Sequence, residues 1–137
     1  MAESAFQFIG YRISKIKCEI DDDFNPKDLK ISQSIDIQQN YEKERARFVE
    51  VIMDVSIKDE DNSFAFFIRM KGGFLGTEDI PQDVFEKFST VNAPAIMYPF
   101  IRSIITNYTA QANIPPVILP TINFASKIKE EIGIGAE

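Results

Sequence analysis

The chain has 137 residues, 45% of them apolar, and one cysteine, which suits a single domain over 1–137 with its own core and no internal disulfide. A formal net charge of −6 argues against nucleic acid or an anionic membrane surface as the main partner, because both are recognised by basic surfaces. Histidine is absent, which removes the commonest general base and the commonest neutral metal ligand, so catalysis would have to rest on carboxylates, lysines or Cys18.

The first half alternates with the period of strands. Over 6–20 the residues are rich in Phe, Ile and Tyr, and Tyr11 and Ile13 share one parity while Ile16, Cys18 and Ile20 share the other. That change of phase predicts a bulge near Ser14 and Lys15. Asp21-Asp22-Asp23-Phe24-Asn25-Pro26 then breaks the strand. A second strand is expected over 29–37, with Leu29, Ile31, Ile35 and Ile37 on one face. Charged residues over 41–47 read as a turn or a strand extension. The third strand is the clearest, with Val49, Val51, Met53, Val55 and Ile57 on one side. Asp59-Glu60-Asp61-Asn62 reads as a hairpin turn, and a fourth strand over 64–70 is expected to end at a bend at Gly72-Gly73. Short turns between consecutive strands imply an antiparallel meander.

The second half changes period. A short helix is expected over 81–88. A longer one over 92–108 has Asn92 as its cap, Pro94 in its first turn and a stripe of Ile96, Phe100 and Ile104 widened by Met97, Ile101 and Tyr108. Pro99 should remove one backbone bond inside it. The run 114–120, with three prolines, excludes regular helix and reads as an extended apolar loop. A last short helix is expected over 126–132. The fold class is therefore α+β: a four-stranded antiparallel sheet with helices packed on one face.

Chemistry-bearing motifs are sparse. Asp21, Asp22 and Asp23 lack the alternate spacing and glycine turn of a Ca²⁺ loop and suit a solvated turn or a dock for a basic partner. Gly72-Gly73 lacks the Lys-Ser/Thr ending of a phosphate loop. Cys18 alternates with Ile16 and Ile20, as a strand-packing residue does. No cofactor or metal site is read. Met1–Ser4 carries Glu3 and no basic stretch, and no apolar run reaches the ~18 residues of a membrane helix, so a cytoplasmic chain without stable membrane insertion is expected. Phe24, Phe74, Leu75 and 114–119 place apolar residues in loops, where they mark a binding surface or cover one another. Strand 64–70 is apolar on both sides, so the sheet face away from the helices invites self-association.

The stretch 92–124 is more specific. It contains Pro94, Pro99, Arg102, Pro115, Leu119, Pro120, Asn123 and Phe124 in a pattern that resembles the protein-export chaperone family SecB, whose members carry a Pro-x-x-Leu-Phe-Pro-Tyr-Ala-Arg helix followed by a Phe-Pro-x-Leu-x-Leu-x-Pro-Val-Asn-Phe segment. The opening Phe6-Gln7 strand and Gly72-Gly73 also match in place. The resemblance implies an ATP-independent holdase without cofactor, assembled as a dimer of dimers. Apolar grooves would hold unfolded preproteins and pass them to the SecA motor, or, in relatives paired with toxin–antitoxin modules, protect an antitoxin. From loop position and family layout, Tyr11, Phe24, Leu29, Phe74, Leu75, Ile114, Val117 and Leu119 are expected to line the groove.

The chain departs from the family where export-type members dock the motor through acids on the sheet. One family acid falls at Lys15, another at Glu19 and a third at Ile68. Glu19, with Asp21, Asp22 and Asp23 as electrostatic substitutes, is what remains for motor docking. Three readings stand side by side: a holdase with open grooves, a scaffold subunit that fills them with its own loops or a fixed partner, and a small-molecule carrier with an enclosed cleft.

Overall fold

The computed structural model describes residues 5–42 and 47–126. Strands β1 (Phe6–Ile20), β2 (Ile31–Tyr41), β3 (Phe48–Asp59) and β4 (Phe64–Gly76) form one antiparallel sheet in the order β1-β4-β3-β2. Helix α1 (Gln82–Lys87), a π turn (Phe88–Asn92) and helix α2 (Ala93–Gln111) follow. The meander holds for β2, β3 and β4. β1 does not join it at β2 but pairs with β4, so β1 and β2 are the two edges. The connection between them is too long for a tight hairpin. It wraps instead around the β3–β4 turn: the Asp21 amide donates to the Ser63 carbonyl, and the Lys30 amide to Asp59 Oδ1. Asp59, 5% exposed, also accepts from the Glu60 amide and the Ser63 hydroxyl, which fixes the expected hairpin turn, with Asn62 left-handed at φ 61°.

The phase change in β1 is a register shift between Ile13 and Lys15, as its parity switch predicts, and a second shift lies between Phe8 and Gly10. β4 does not stop at Gly72-Gly73; it continues to Gly76. The glycines are there for packing. A Cβ at Gly72 would lie 3.0 Å from Met97 Sδ on α2, and one at Gly76 would lie 2.8 Å from the Phe85 ring on α1. One at Gly73, on the opposite face, would meet nothing closer than 3.7 Å.

The core lies between sheet and helix: Val49, Val51, Met53, Val55 and Ile57 of β3 and Phe64, Phe66, Ile68, Met70 and Phe74 of β4 meet Met97, Ile101 and Ile105 of α2. The stripe of α2 that faces the sheet is thus Ala93, Met97, Ile101, Ile105, one residue round from the expected line. Asn92 does not cap the helix; its φ and ψ are helical and its side chain makes no cap bond. The chain stays helical from α1 to α2, widened where the Ala93 amide reaches the Phe88 carbonyl. Pro94 explains this, since proline has no N–H to continue the ladder and its ring crowds the carbonyl four residues back. Nearby carbonyls are satisfied by hydroxyls, Ser89 donating to Phe85 O at 2.8 Å and Thr90 to Glu86 O at 3.0 Å. A helical turn begins at Phe124, and the expected helix over 126–132 lies, past Ser126, outside the described residues, as does 43–46 of the charged stretch 41–47.

Two stability outcomes follow from this packing. Chemical denaturation should rank the glycine variants Gly76→Ala worst, Gly72→Ala second and Gly73→Ala near neutral, the first losing about 1–3 kcal/mol because an aromatic ring cannot yield as a thioether can. Gly73→Ala as damaging as Gly76→Ala would contradict that account. Thr109→Val should cost about 1–3 kcal/mol at unchanged m, because it strips the buried Val117 amide of the 2.9 Å bond it donates to the Thr109 hydroxyl.

Candidate functional site

Helix α2 rests on the two central strands, β3 and β4. The flanks of the same sheet face are treated unequally. On the β2 side, residues after α2 run extended and are tied down by side chains. The Val117 amide and carbonyl bond to Thr109 and Thr106, at 2.9 and 2.8 Å. The Tyr98 hydroxyl donates to the Pro120 carbonyl at 2.8 Å and accepts from Gln33 of β2 at 3.0 Å. Burial raises the Tyr98 pKa, partly offset by its bond with Gln33 and the charge of Arg102, so the phenol stays neutral at ordinary pH and keeps both bonds. Phe124 closes this side with its ring 5.5 Å from Tyr98.

The β1 side has no such cover among the described residues. Tyr11, Ile16 and Ile20, on the helix-facing side of β1, remain 41, 38 and 37% exposed. Across from them, Phe100 and Tyr108 of α2 are 42 and 40% exposed. The two rows meet at one end, where the Tyr11 and Phe100 rings lie 5.1 Å apart; at the other, Tyr108 sits edge-on to the buried Phe66 of β4 at 5.2 Å. Phe8 joins the first contact, 5.9 Å from Phe100 and 6.2 Å from Tyr11. The result is an aromatic-ended apolar trough, alongside an edge strand whose outer backbone groups have no ladder partner among the described residues.

The residues expected to form a groove are dispersed. Tyr11 lies in the trough. Phe24 and Leu29 stand half-buried in the β1–β2 connection, Phe24 with its ring 5.8 Å from Phe64. Ile114 is half-buried against the core after α2. Leu75 is half-buried on the opposite sheet face, where it pairs with Gln7 and Phe48. Phe74, Val117 and Leu119 are corrections: at 0, 3 and 3% exposure their side chains fill the core, since β4 runs on past the glycines and threonine hydroxyls turn Val117 inward. Glu19 and Asp21–Asp23 are exposed, with Glu19 3.1 Å from Lys17. Phe100, Tyr108, Ile16 and Ile20 were absent from the expected groove. Their apolar periodicity was legible, but exposure depends on where α2 crosses the sheet.

Nothing in this region suggests bond chemistry. Burial raises the Cys18 pKa, which favours its neutral thiol over the thiolate. Among the described residues no group of three His, Cys, Asp or Glu could hold a metal, and no helix is long and apolar enough to cross a membrane. The trough can do what apolar, ring-lined surfaces do: take apolar side chains out of water.

Similarity to known proteins supports the resemblance seen in 92–124. The family model described as preprotein translocase subunit SecB matches residues 21–132. An uncharacterized protein of Methanocaldococcus jannaschii is 33% identical over 112 residues, covering 75% of this chain and 72% of that one. The protein-export protein SecB of Neorickettsia sennetsu is 32% identical over 115 residues, covering 74% and 70%. Among solved structures, the Rv1957 SecB-like chaperone of Mycobacterium tuberculosis, in complex with a ChAD peptide from the HigA1 antitoxin, superposes with a TM-score of 0.71 at 12% identity over 86% of this chain and 88% of that one, which is a likeness of fold. With its four-stranded antiparallel sheet, its helix packed on one face and a family match over most of its length, this chain belongs to the SecB family.

Proposed function

We propose that this protein is an ATP-independent holdase chaperone of the cytoplasm, a single non-catalytic domain that keeps unfolded polypeptides from aggregating. The observation that carries the reading is the trough between β1 and α2, which no described residue covers, with Tyr11, Ile16, Ile20, Phe100 and Tyr108 each more than a third exposed. Contiguous apolar surface of this kind is rare on proteins that work alone. An unfolded client supplies what the trough lacks: apolar side chains for its rings and, where it extends, backbone for the free edge of β1. Many such weak contacts along one client add up without sequence preference. Phe24, Leu29 and Ile114 serve as further, separate apolar contacts for a client. The chain acts as a homo-oligomer, a dimer of dimers, in which part of the same apolar edge is covered by a second copy.

A second reading is a chaperone dedicated to one partner, such as an antitoxin, and not docked to the SecA export motor. It is favoured by the likeness of fold to a chaperone solved with an antitoxin peptide, and by Lys15, a cation where export-type members carry an acid.

Light scattering of a chemically unfolded model protein, without ATP and at stoichiometric chaperone, separates these readings. Wild type should suppress aggregation. Tyr11→Ser and Phe100→Ser, both at exposed positions, should fold normally and each bind client about tenfold more weakly, the loss expected for about 1–2 kcal/mol of ring burial. Leu75→Asp, on the other face, should change little. A folded, assembled wild type that suppresses nothing would leave the dedicated-partner reading. Sedimentation velocity at micromolar concentration should give a species heavier than one chain, and a strict monomer would contradict the assembly proposed.

A further inference from the structure

On the sheet face turned away from α2, the β1–β4 half carries a charge pattern opposite to that of the molecule, while the β2–β3 half carries Asp36, Asp54 and Glu50. The ladder between β1 and β4 sets Arg12 opposite Lys71 and Lys15 opposite Arg69, with Lys17 opposite Phe67. Like charges directly across a ladder are destabilising, and this chain has a net charge of −6, so acids were plentiful. Arg69 is held by Asp54 of β3 through two bonds of 2.8 and 2.9 Å. Lys15 and Arg69 flank the Phe67 ring at 5.6 and 5.7 Å. Arg12, Lys15 and Lys71 have no carboxylate within ion-pair distance among the described residues. Charges that merely protect an edge would account for β1, but β4 lies one strand inside it.

The same face has a shallow depression beside these cations. Gly10 and Gly73, which pair across the ladder, give it a floor without side chains; Ile9, 55% exposed, Tyr11 and Phe48 give it apolar walls, and Arg12 and Lys71 stand at the rim with one acid, Glu50. Gly10 sits at the first bulge with φ +152°, a conformation that suits glycine.

From this face we infer a second binding surface, for an acidic, extended polypeptide segment whose carboxylates meet Arg12, Lys15 and Lys71 and whose large apolar side chain enters the Gly10–Gly73 depression. The surface does not rest on the holdase reading, because it lies on the other side of the sheet from the trough and shares with it only Tyr11 at the edge strand. A polypeptide fits better than a nucleic acid or an anionic membrane: the cations are few, they stand beside an apolar hollow, and the acidic remainder of the molecule repels a long polyanion.

Fluorescence anisotropy with a labelled peptide alternating Glu with Phe and Ser tests this, against a Lys-for-Glu version, a single-stranded oligonucleotide and vesicles containing phosphatidylserine. The acidic peptide should bind, more weakly as salt rises, and the other three probes should not. Arg12→Glu should lower its affinity about tenfold. The same variant places opposite charges across the ladder from Lys71, so it should unfold at no lower temperature than wild type, which separates lost binding from lost fold. Lys87→Glu, an exposed change on α1, should leave binding intact. Absence of acidic-peptide binding, equal loss in Lys87→Glu, or equal binding of the oligonucleotide, the vesicles or the basic peptide would overturn the inference.

Discussion

A single helix is narrower than the sheet it must cover. An α-helix with its side chains is about 10 Å across, and four strands at about 4.8 Å spacing present a wider face. Centred on β3 and β4, α2 leaves both edge strands to be covered by something else. On the β2 side the chain supplies that cover itself, with the extended residues after α2 held by Tyr98, Thr106 and Thr109. On the β1 side it supplies none among the described residues, and Tyr11, Ile16 and Ile20 stay open opposite Phe100 and Tyr108. The apolar trough is the remainder of that mismatch in width.

How closely α2 can approach depends on what β4 leaves out. Gly72 and Gly76 remove side chains beneath Met97 and Phe85, so helix and strand approach more closely than a Cβ would allow. Pro94 forces the π turn between α1 and α2 and so helps to set the rotation at which α2 meets the sheet. That rotation turns Ala93, Met97, Ile101 and Ile105 inward and leaves Phe100 and Tyr108 at the margin. A structural feature, the widened turn, thereby bears on which rings face solvent.

The two faces of the sheet differ in kind. The helix-facing side is apolar from β1 to β3. The other carries an Arg69–Asp54 pair at its centre and cations along β1 and β4. An antiparallel sheet tolerates this, because one wet face is normal for it. Strand β4 looked apolar at both parities, yet Phe67 on the wet side is flanked by Lys15 and Arg69 rather than by a second apolar layer.

Local signals were enough for the four strands, the two helices over 82–111 and the family. Alternation marked four strands, the parity switch at Ser14–Lys15 marked a bulge, and the spaced prolines of 94–120 with Asn123 and Phe124 marked the family. These depend on neighbours in the chain, so the sequence carries them directly. The order of the strands did not follow from turn lengths, because the β1–β2 connection closes around another hairpin and not on itself. Nor could the sequence separate Val117 and Leu119, which are buried, from Ile118 between them, which is 77% exposed. Exposure is a property of three-dimensional overlap: periodicity says that Tyr11 and Phe100 are apolar, but only the position of one helix across four strands decides that they meet each other at the edge of an uncovered surface.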